Sequence, residues 1–233
     1  MSWIITGSEK YETDPYRSQV SLLLHGDGAN GSTTIVDSSP SPKTVTAFGD
    51  AQISTAIADP FDNSTGVLAF DGNGDYLRIP YSPSFQVQGG PFTVELFARI
   101  VANTTSAYGQ LLITVKDSGD SGSGWAIAHY LGQITGGIGN NSSGLVGSIN
   151  LNTWQHIALT YDGTNGRLFL DGNLLSTFAA IAADNSNPLV VCNQPTFDNN
   201  RSTNGFISQI RITKGVARYT SNFTRPTAPF PDI

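Results

Sequence analysis

Few residues in this chain are of types that could do chemistry, and most of those are acidic. Asp71, Asn73 and Asp75 offer side-chain oxygens at alternate positions of Asp71-Gly72-Asn73-Gly74-Asp75, between two apolar segments. Hard oxygen ligands on a glycine-rich loop suit calcium. The same run also suits a tight reversal, because Gly supplies unusual backbone angles and Asx side chains bond their own backbone. The turn is the expected outcome. An EF-hand is excluded, since the later bidentate Glu and the flanking helix signals are missing. Glycoside hydrolysis normally needs paired carboxylates at a set separation. The only glutamates are Glu9, Glu12 and Glu95, two of them within the first twelve residues. His25, His129 and His156 lie far apart, and no G-x-S-x-G elbow accompanies them. No Cys/His spacing fits zinc. Gly136-Gly137-Ile138-Gly139 lacks the Lys-Ser/Thr ending of a phosphate loop. Cys192 follows Leu189-Val190-Val191 and reads as a buried thiol.

The elements that must position these residues are strands. Trp154 to Tyr161 alternates, with Ile157, Leu159 and Tyr161 on one face and Trp154, His156, Ala158 and Thr160 on the other. Asp162 to Gly166 reverses the chain, Arg167 to Leu170 returns, and Asp171-Gly172 is a hairpin signal leading to Asn173–Ser176. Phe92 to Ile100 is the longest clean strand, carrying Phe92, Val94, Leu96, Ala98 and Ile100 on one face. Its other face sets Phe97 between Glu95 and Arg99. The expected arrangement is a partly buried ion pair over an aromatic ring; the alternative is a sugar platform. Further strands are expected over 19–25, 43–48, 67–70, 76–80, 111–115, 125–130, 133–138 and 189–192, with 145–149 leading back to the meander. Gly205 to Thr213 closes the domain in strict alternation.

Composition agrees. The chain has 233 residues, a formal charge of −6 and only 13% charged residues, with Gly, Ser, Thr and Asn abundant. That suits short strands and many turns, in one all-β domain large enough for its own core. The acidic balance and the lack of a Lys/Arg stripe argue against nucleic acid. No apolar run is long enough to span a bilayer, so membrane insertion is not expected. The start, MSWIITGSEK, lacks the features of a signal peptide. One cysteine allows no internal disulfide. The Asn-x-Ser/Thr triplets at Asn63, Asn103 and Asn222 would matter only in a eukaryotic secretory setting. Residues 1–18 differ in character from the rest, being crowded with charge and broken by Pro15. They are expected to be a loose terminus or an arm, and Trp3, Ile4 and Ile5 are anchors that a solvated tail would not need.

Several motifs resemble those of laminin-G-like, concanavalin A-type jelly-roll domains. Trp154-Gln155-His156-Ile157-Ala158-Leu159-Thr160-Tyr161-Asp162-Gly163 is similar to the W-H-H-V-A-x-T-Y-D-G of their central hairpin. Phe70 to Pro80 resembles their F-D-G-x-G-D-Y-L-x-[IV]-P hairpin, and Gly205 to Ile212 their closing strand, which pairs beside the first. Leu22 to Ser54, together with Lys214 to Pro231, where the strand ends in T-x-G-V-A-R-Y-x-x-x-F-x-x-P, resembles the variant found on phage tail and other virion proteins. The likeness runs from about Gln19 to Phe230 and leaves the first eighteen residues unexplained.

The resemblance implies an all-β, two-sheet antiparallel sandwich over 19–233. It implies calcium at a loop edge, which makes Asp27, Asp37, Asp71 and Asp75 the metal candidates. The glucanase branch carries E-x-D-x-x-E on a strand; Glu95 is followed by Phe97 and Ala98, so no catalytic residue is assigned and no enzyme is expected. The resemblance further implies a virion setting assembled in the host cytoplasm, other virion proteins as partners, and a homotrimer. The first expectation is a virion surface module that binds carbohydrate or another host-surface ligand. The second is a structural capsid decoration or tail-assembly subunit attached by residues 1–18. A glycosidase ranks last.

Overall fold

The computed structural model describes residues 13–61, 65–88, 90–103, 109–116, 122–181, 183–194 and 201–232. Trp3, Ile4 and Ile5 lie outside the described residues. In chain order the strands are β1 (Val20–Leu24), β2 (Thr46–Phe48), β3 (Gln52–Ser54), β4 (Val67–Asp71), β5 (Tyr76–Ile79), β6 (Phe92–Ile100), β7 (Gln110–Thr114), β8 (Trp125–Tyr130), β9 (Gln133–Ile138), β10 (Asn141–Ser142), β11 (Gln155–Tyr161), β12 (Asn165–Leu170), β13 (Asn173–Ala179), β14 (Leu189–Val191) and β15 (Asn204–Lys214). They form two stacked antiparallel sheets. Sheet A runs β13-β12-β11-β6-β15-β4-β3, with β1 also on β15; sheet B runs β10-β9-β8-β7-β14-β5-β2.

Period-2 alternation builds the core. From sheet A, Val94, Leu96, Ile157 and Leu159 point inward; from sheet B, Leu77, Ile113, Trp125, Ile127 and Val191 meet them. Trp125 satisfies its indole N–H on the carbonyl of Phe85 at 2.7 Å. The expected meander is β11-β12-β13, adjacent in sheet A. Its first turn is held by Asp162, whose carboxylate accepts from the N–H groups of Thr164 and Asn165 at 2.9 and 2.8 Å. The closing strand β15 pairs with β1, as the resemblance implies. Cys192 is buried, and burial pushes its thiol up.

Four local features differ from the sequence expectation. Strict alternation would put Ile207 on the face opposite Ile210 and Ile212. Instead, the register of β15 against β6 shifts between Ser208 and Arg211, with Gln209 at φ 53°, and all three isoleucines enter the core. A bulge inserts one residue and so reverses the parity of the rest of the strand. The Phe70–Pro80 run is not a hairpin, because β4 lies in sheet A and β5 in sheet B. It is a corner that carries the chain between sheets. Gln52–Ser54 is a short edge strand that the pattern did not reveal. Residues 145–149 make only one bridge, Val146 to Ile134.

Two hairpin turns use the same backbone with different chemistry. Asp171-Gly172 has φ of 47° and 80°, and Leu131-Gly132 has 51° and 77°. Asp tolerates that conformation, whereas a bulky side chain is unusual there. Gly172 is required twice over, since a Cβ there would lie 2.1 Å from the carbonyl oxygen of Phe223.

His129 follows Trp125 and Ile127 on the inward face of β8, opposite Gln110 and Ile134. It is fully buried, and neither ring nitrogen has a hydrogen-bond partner among the described residues. Burial pushes its pKa down to about 4. The unfolded chain, titrating near 6.5, therefore binds the proton first as pH falls. Stability should be full above pH 7 and drop on the order of 3 kcal/mol between pH 6.5 and 4. His129→Leu should remove that slope in urea-unfolding measurements across this range. An unchanged slope would show that another group carries it.

Candidate ligand-binding face

The outward face of sheet A is closed. Glu95 and Phe97 on β6, His156 on β11 and Arg211 on β15 all point away from the core, and all are buried. The covering layer is residues 215–232 together with 13–16. Arg211 Nε donates to Glu95 Oε1 at 2.9 Å. Tyr219 Oη donates to Glu95 Oε2 at 2.9 Å, and His156 Nε2 faces the same oxygen at 3.1 Å. Asp14 accepts from Arg218 at 2.6 and 3.0 Å and from Arg211 at 3.1 Å. The Arg211 guanidinium lies 4.0 Å from the ring centre of Phe230. Tyr219 and Phe223 stack at 3.6 Å. Burial alone would raise the pKa of Glu95, but Arg211 and His156 outweigh it and hold the group at about 2. Burial likewise opposes ionisation of Asp14, and the hydrogen bonds from Arg218 carry it below the usual carboxylate range.

This corrects one expectation and removes its alternative. Glu95 pairs with Arg211 on the neighbouring strand, not with Arg99, which donates to the carbonyl of Asn152 and lies over Phe206. The bulge at Gln209 is what aims Arg211 at Glu95, its register partner. Phe97 is no sugar platform, because Phe61, Phe230 and the Arg225 guanidinium cover it.

The outward face of sheet B carries an open groove of about 340 Å³. Its floor is made by Ala126 and Ala128 of β8 with Thr135 and Gly137 of β9, register partners in the order Ala126–Gly137 and Ala128–Thr135. Tyr130, Leu145, Lys116 and Arg201 form its walls. The floor is low because these outward positions on two adjacent strands are all small. A Cβ on Gly137 would come within 3.3 Å of the Asn141 carbonyl oxygen and 3.6 Å of Lys116 Nζ. A shallow floor with an aromatic wall, hydroxyls and cations can seat a sugar ring and bond its hydroxyls. Among the described residues no carboxylate lines it, so it offers no acid–base pair for glycoside hydrolysis.

The structure brings two of the four metal candidates into one turn. Asp75 accepts from the backbone N–H of Asp71 at 2.9 Å and from that of Asp50. Asp71 accepts from Asn73 N–H at 2.6 Å. Burial raises the pKa of Asp75. Asp37 stands elsewhere and accepts from Leu23, Ser39 and Lys43 N–H groups and from the Ser39 hydroxyl, pinning its loop to β1. Asp27 is exposed in the Gly26–Gly28 loop. Among the described residues no three His, Cys, Asp or Glu side chains converge. Sequence reasoning missed the groove, although Trp-Ala-Ile-Ala and Gln-Ile-Thr-Gly-Gly showed small residues at alternate positions of neighbouring strands.

Two stacked sheets, one face covered and one open, define a lectin-like sandwich. A family profile described as the concanavalin A-like lectin/glucanases superfamily matches residues 71–218, and the chain belongs to that family. No curated protein sequence matches it. Among solved structures, the binding domain of Paraclostridial Mosquitocidal Protein 1 is similar, with a TM-score of 0.65 at 15% identity, over 90% of this chain and 51% of that one. The receptor binding domain of botulinum neurotoxin D has a TM-score of 0.62 at 14% identity, over 90% and 51%. A botulinum neurotoxin type C structure, whose cell entry is described as dependent on two ganglioside molecules, has a TM-score of 0.57 at 16% identity, over 86% and 49%. These likenesses show the fold. The chain spans about half the length of the solved structures it matches.

Removing one partner of a buried ion pair leaves an uncompensated charge and costs roughly 3–5 kcal/mol. Asp14→Ala should therefore lower unfolding free energy by about that much in urea at pH 7. Because the folded pKa of Asp14 is depressed, the cost should shrink as pH falls below the ordinary carboxylate range. A variant within about 1 kcal/mol of the parent at pH 7 would mean the clasp contributes no more than a surface pair.

Proposed function

We propose that the domain is a non-catalytic virion surface module that binds carbohydrate or another host-surface ligand in the sheet B groove. The supporting observation is the asymmetry of the sandwich: a tail covers sheet A, while sheet B presents a small-residue floor with an aromatic wall and no carboxylate among the described residues. The ganglioside and receptor associations named for structures of similar fold favour a cell-surface ligand. The virion setting, other virion proteins as neighbours and a homotrimer rest on the phage-tail resemblance of residues 22–54 and 214–231.

A glycan array probed in calcium and in chelator tests the binding. At least one glycan should bind, and Ala128→Trp, which fills the floor, should weaken it at least tenfold while the unfolding midpoint stays put. An array with no binder in either buffer would overturn the reading. Loss of binding in chelator alone would assign the Asp27 or Asp71–Asp75 loops a calcium role.

A second reading, a structural decoration or tail-assembly subunit, keeps its motive in the apolar Trp3-Ile4-Ile5 segment. Removing residues 1–12 spares Asp14 and so spares the clasp. If attachment is this segment's role, the truncated protein should fold but be missing from purified particles by immunolabelling. Normal incorporation would discard this reading.

A further inference from the structure

A second hollow lies apart from the groove, and no described residue lines both. It measures about 550 Å³ and is bounded by the start of β1, the loop before β2, the turn after β5 and the end of β15. Its lining is polar but for Val20. Ser21, Ser41, Ser82 and Ser84 face Lys43 and Lys214, and no carboxylate lines it among the described residues. The chain has 18 acidic residues against 12 basic ones, and only four of the latter are lysines. Two of those four meet here. A concavity carrying one sign of charge gathers ions of the other sign.

Both ammonium groups are held in place, on half-buried side chains. Lys214 donates to the carbonyls of Gln86 and Gln88, the latter at 3.0 Å. Lys43 donates to the Ser41 carbonyl at 2.7 Å and lies 5.6 Å from the ring centre of Phe85. An ammonium has three donors, so each keeps at least one for a ligand. Asp37 attracts Lys43 and Asp184 attracts Lys214, but neither carboxylate lines the hollow. Asp37 accepts from Lys43 N–H at 2.8 Å, and Asp184 from Gln88 N–H at 2.7 Å. Burial outweighs both attractions and pushes the two lysine pKa values down. A cation short of water gains from an incoming anion.

The serines add hydroxyls around these charges. Ser21 falls where the register of β1 against β15 shifts, between Val20 and Leu22. The Ser82 and Ser84 hydroxyls meet at 2.8 Å. Whichever of them donates within that pair, the other keeps its proton for a ligand. We infer that the hollow is a second binding site, for a phosphate or sulfate ester carried on a sugar, with Lys43 and Lys214 as counter-ions. Lysine is a point charge without the planar fork of arginine, and two of them among hydroxyls suit a tetrahedral oxyanion. The volume exceeds that of a bare ion and falls in the range of small-ligand sites.

NMR of protein labelled with ¹³C at lysine Cε tests this, with glucose 6-phosphate, glucose 6-sulfate, glucose and inorganic phosphate as probes. At least one ester should move the Lys43 and Lys214 signals together with one affinity, and glucose should move neither. The Lys116 signal reports the groove separately. Lys43→Gln should weaken ester binding about tenfold or more, the loss expected for a charged hydrogen bond. Ser82→Asp keeps an acceptor for Ser84 N–H but sets a carboxylate in the hollow. It should fold with an unchanged unfolding midpoint and lose ester binding to a similar degree, whereas Ala128→Trp should leave ester binding unchanged. No movement of the two lysine signals up to about 10 mM ester would overturn the site and leave the groove reading standing. So would equal movement by glucose, or a folded Ser82→Asp that binds like the parent. Inorganic phosphate bound as tightly as either ester would overturn the sugar ligand by reducing the hollow to an ion site.

Discussion

A buried ionic clasp determines which side of this sandwich is available. Glu95 sits at the centre of sheet A, fully buried, on the face that would otherwise be solvated. A carboxylate there is tolerable only with partners, because desolvating an unpaired charge costs several kcal/mol. Its partners come from four places: His156 from β11, Arg211 from β15, Tyr219 from the C-terminal tail and, through Arg211, Asp14 from the N-terminal side. The clasp is therefore also a cover. Tail aromatics lie over it, Phe97 and Phe230 form a second small core with Val20 and Leu23, and no free surface remains at the middle of this sheet. Sheet B is built differently. On β8 and β9 its outward residues are mostly Ala, Gly and Thr, which need no cover and leave space.

Much of the fold was legible because alternation and Gly/Asx reversals are local. The bounds of Phe92–Ile100, Trp125–Tyr130 and Gln133–Ile138 follow from side-chain period alone. What failed was non-local. The parity of β15 changes at Gln209, and Gln209 holds a positive φ in a setting supplied by distant groups: its Oε1 accepts from Phe230 N–H and meets His25 Nδ1. No pattern in Gly205–Thr213 announces that. The Asp71–Asp75 run reads correctly as a turn, but whether a turn joins neighbours in one sheet or crosses to the other depends on where the next strand finds its partner.

The site was less legible than the fold for a related reason. Chemistry-bearing residues draw attention, and several of them have partners within the fold: Glu95 and His156 belong to the clasp, Asp37 and Asp75 accept from backbone N–H groups, and His129 is a buried neutral ring. The groove is made of what is missing from side chains. Ala126, Ala128 and Gly137 carry no functional group, and only their adjacency across β8 and β9 turns smallness into a cavity. Strand pairing is a tertiary fact, so a groove of this kind cannot be read from one segment.

The clasp also sets the two outward faces of the sandwich apart. Asp14 and Phe230 both lie on the outward side of sheet A, while the groove lies on the outward side of sheet B. A well-packed apolar cluster in place of a buried ion pair often holds a structure at least as strongly. What charges add is register: bidentate Arg218 on Asp14 and Arg211 on Glu95 each fit in one geometry, whereas Phe and Pro could slide. Fixing the tail's register keeps the closed face closed. The tail and the groove of sheet B thus lie on opposite faces of one small domain.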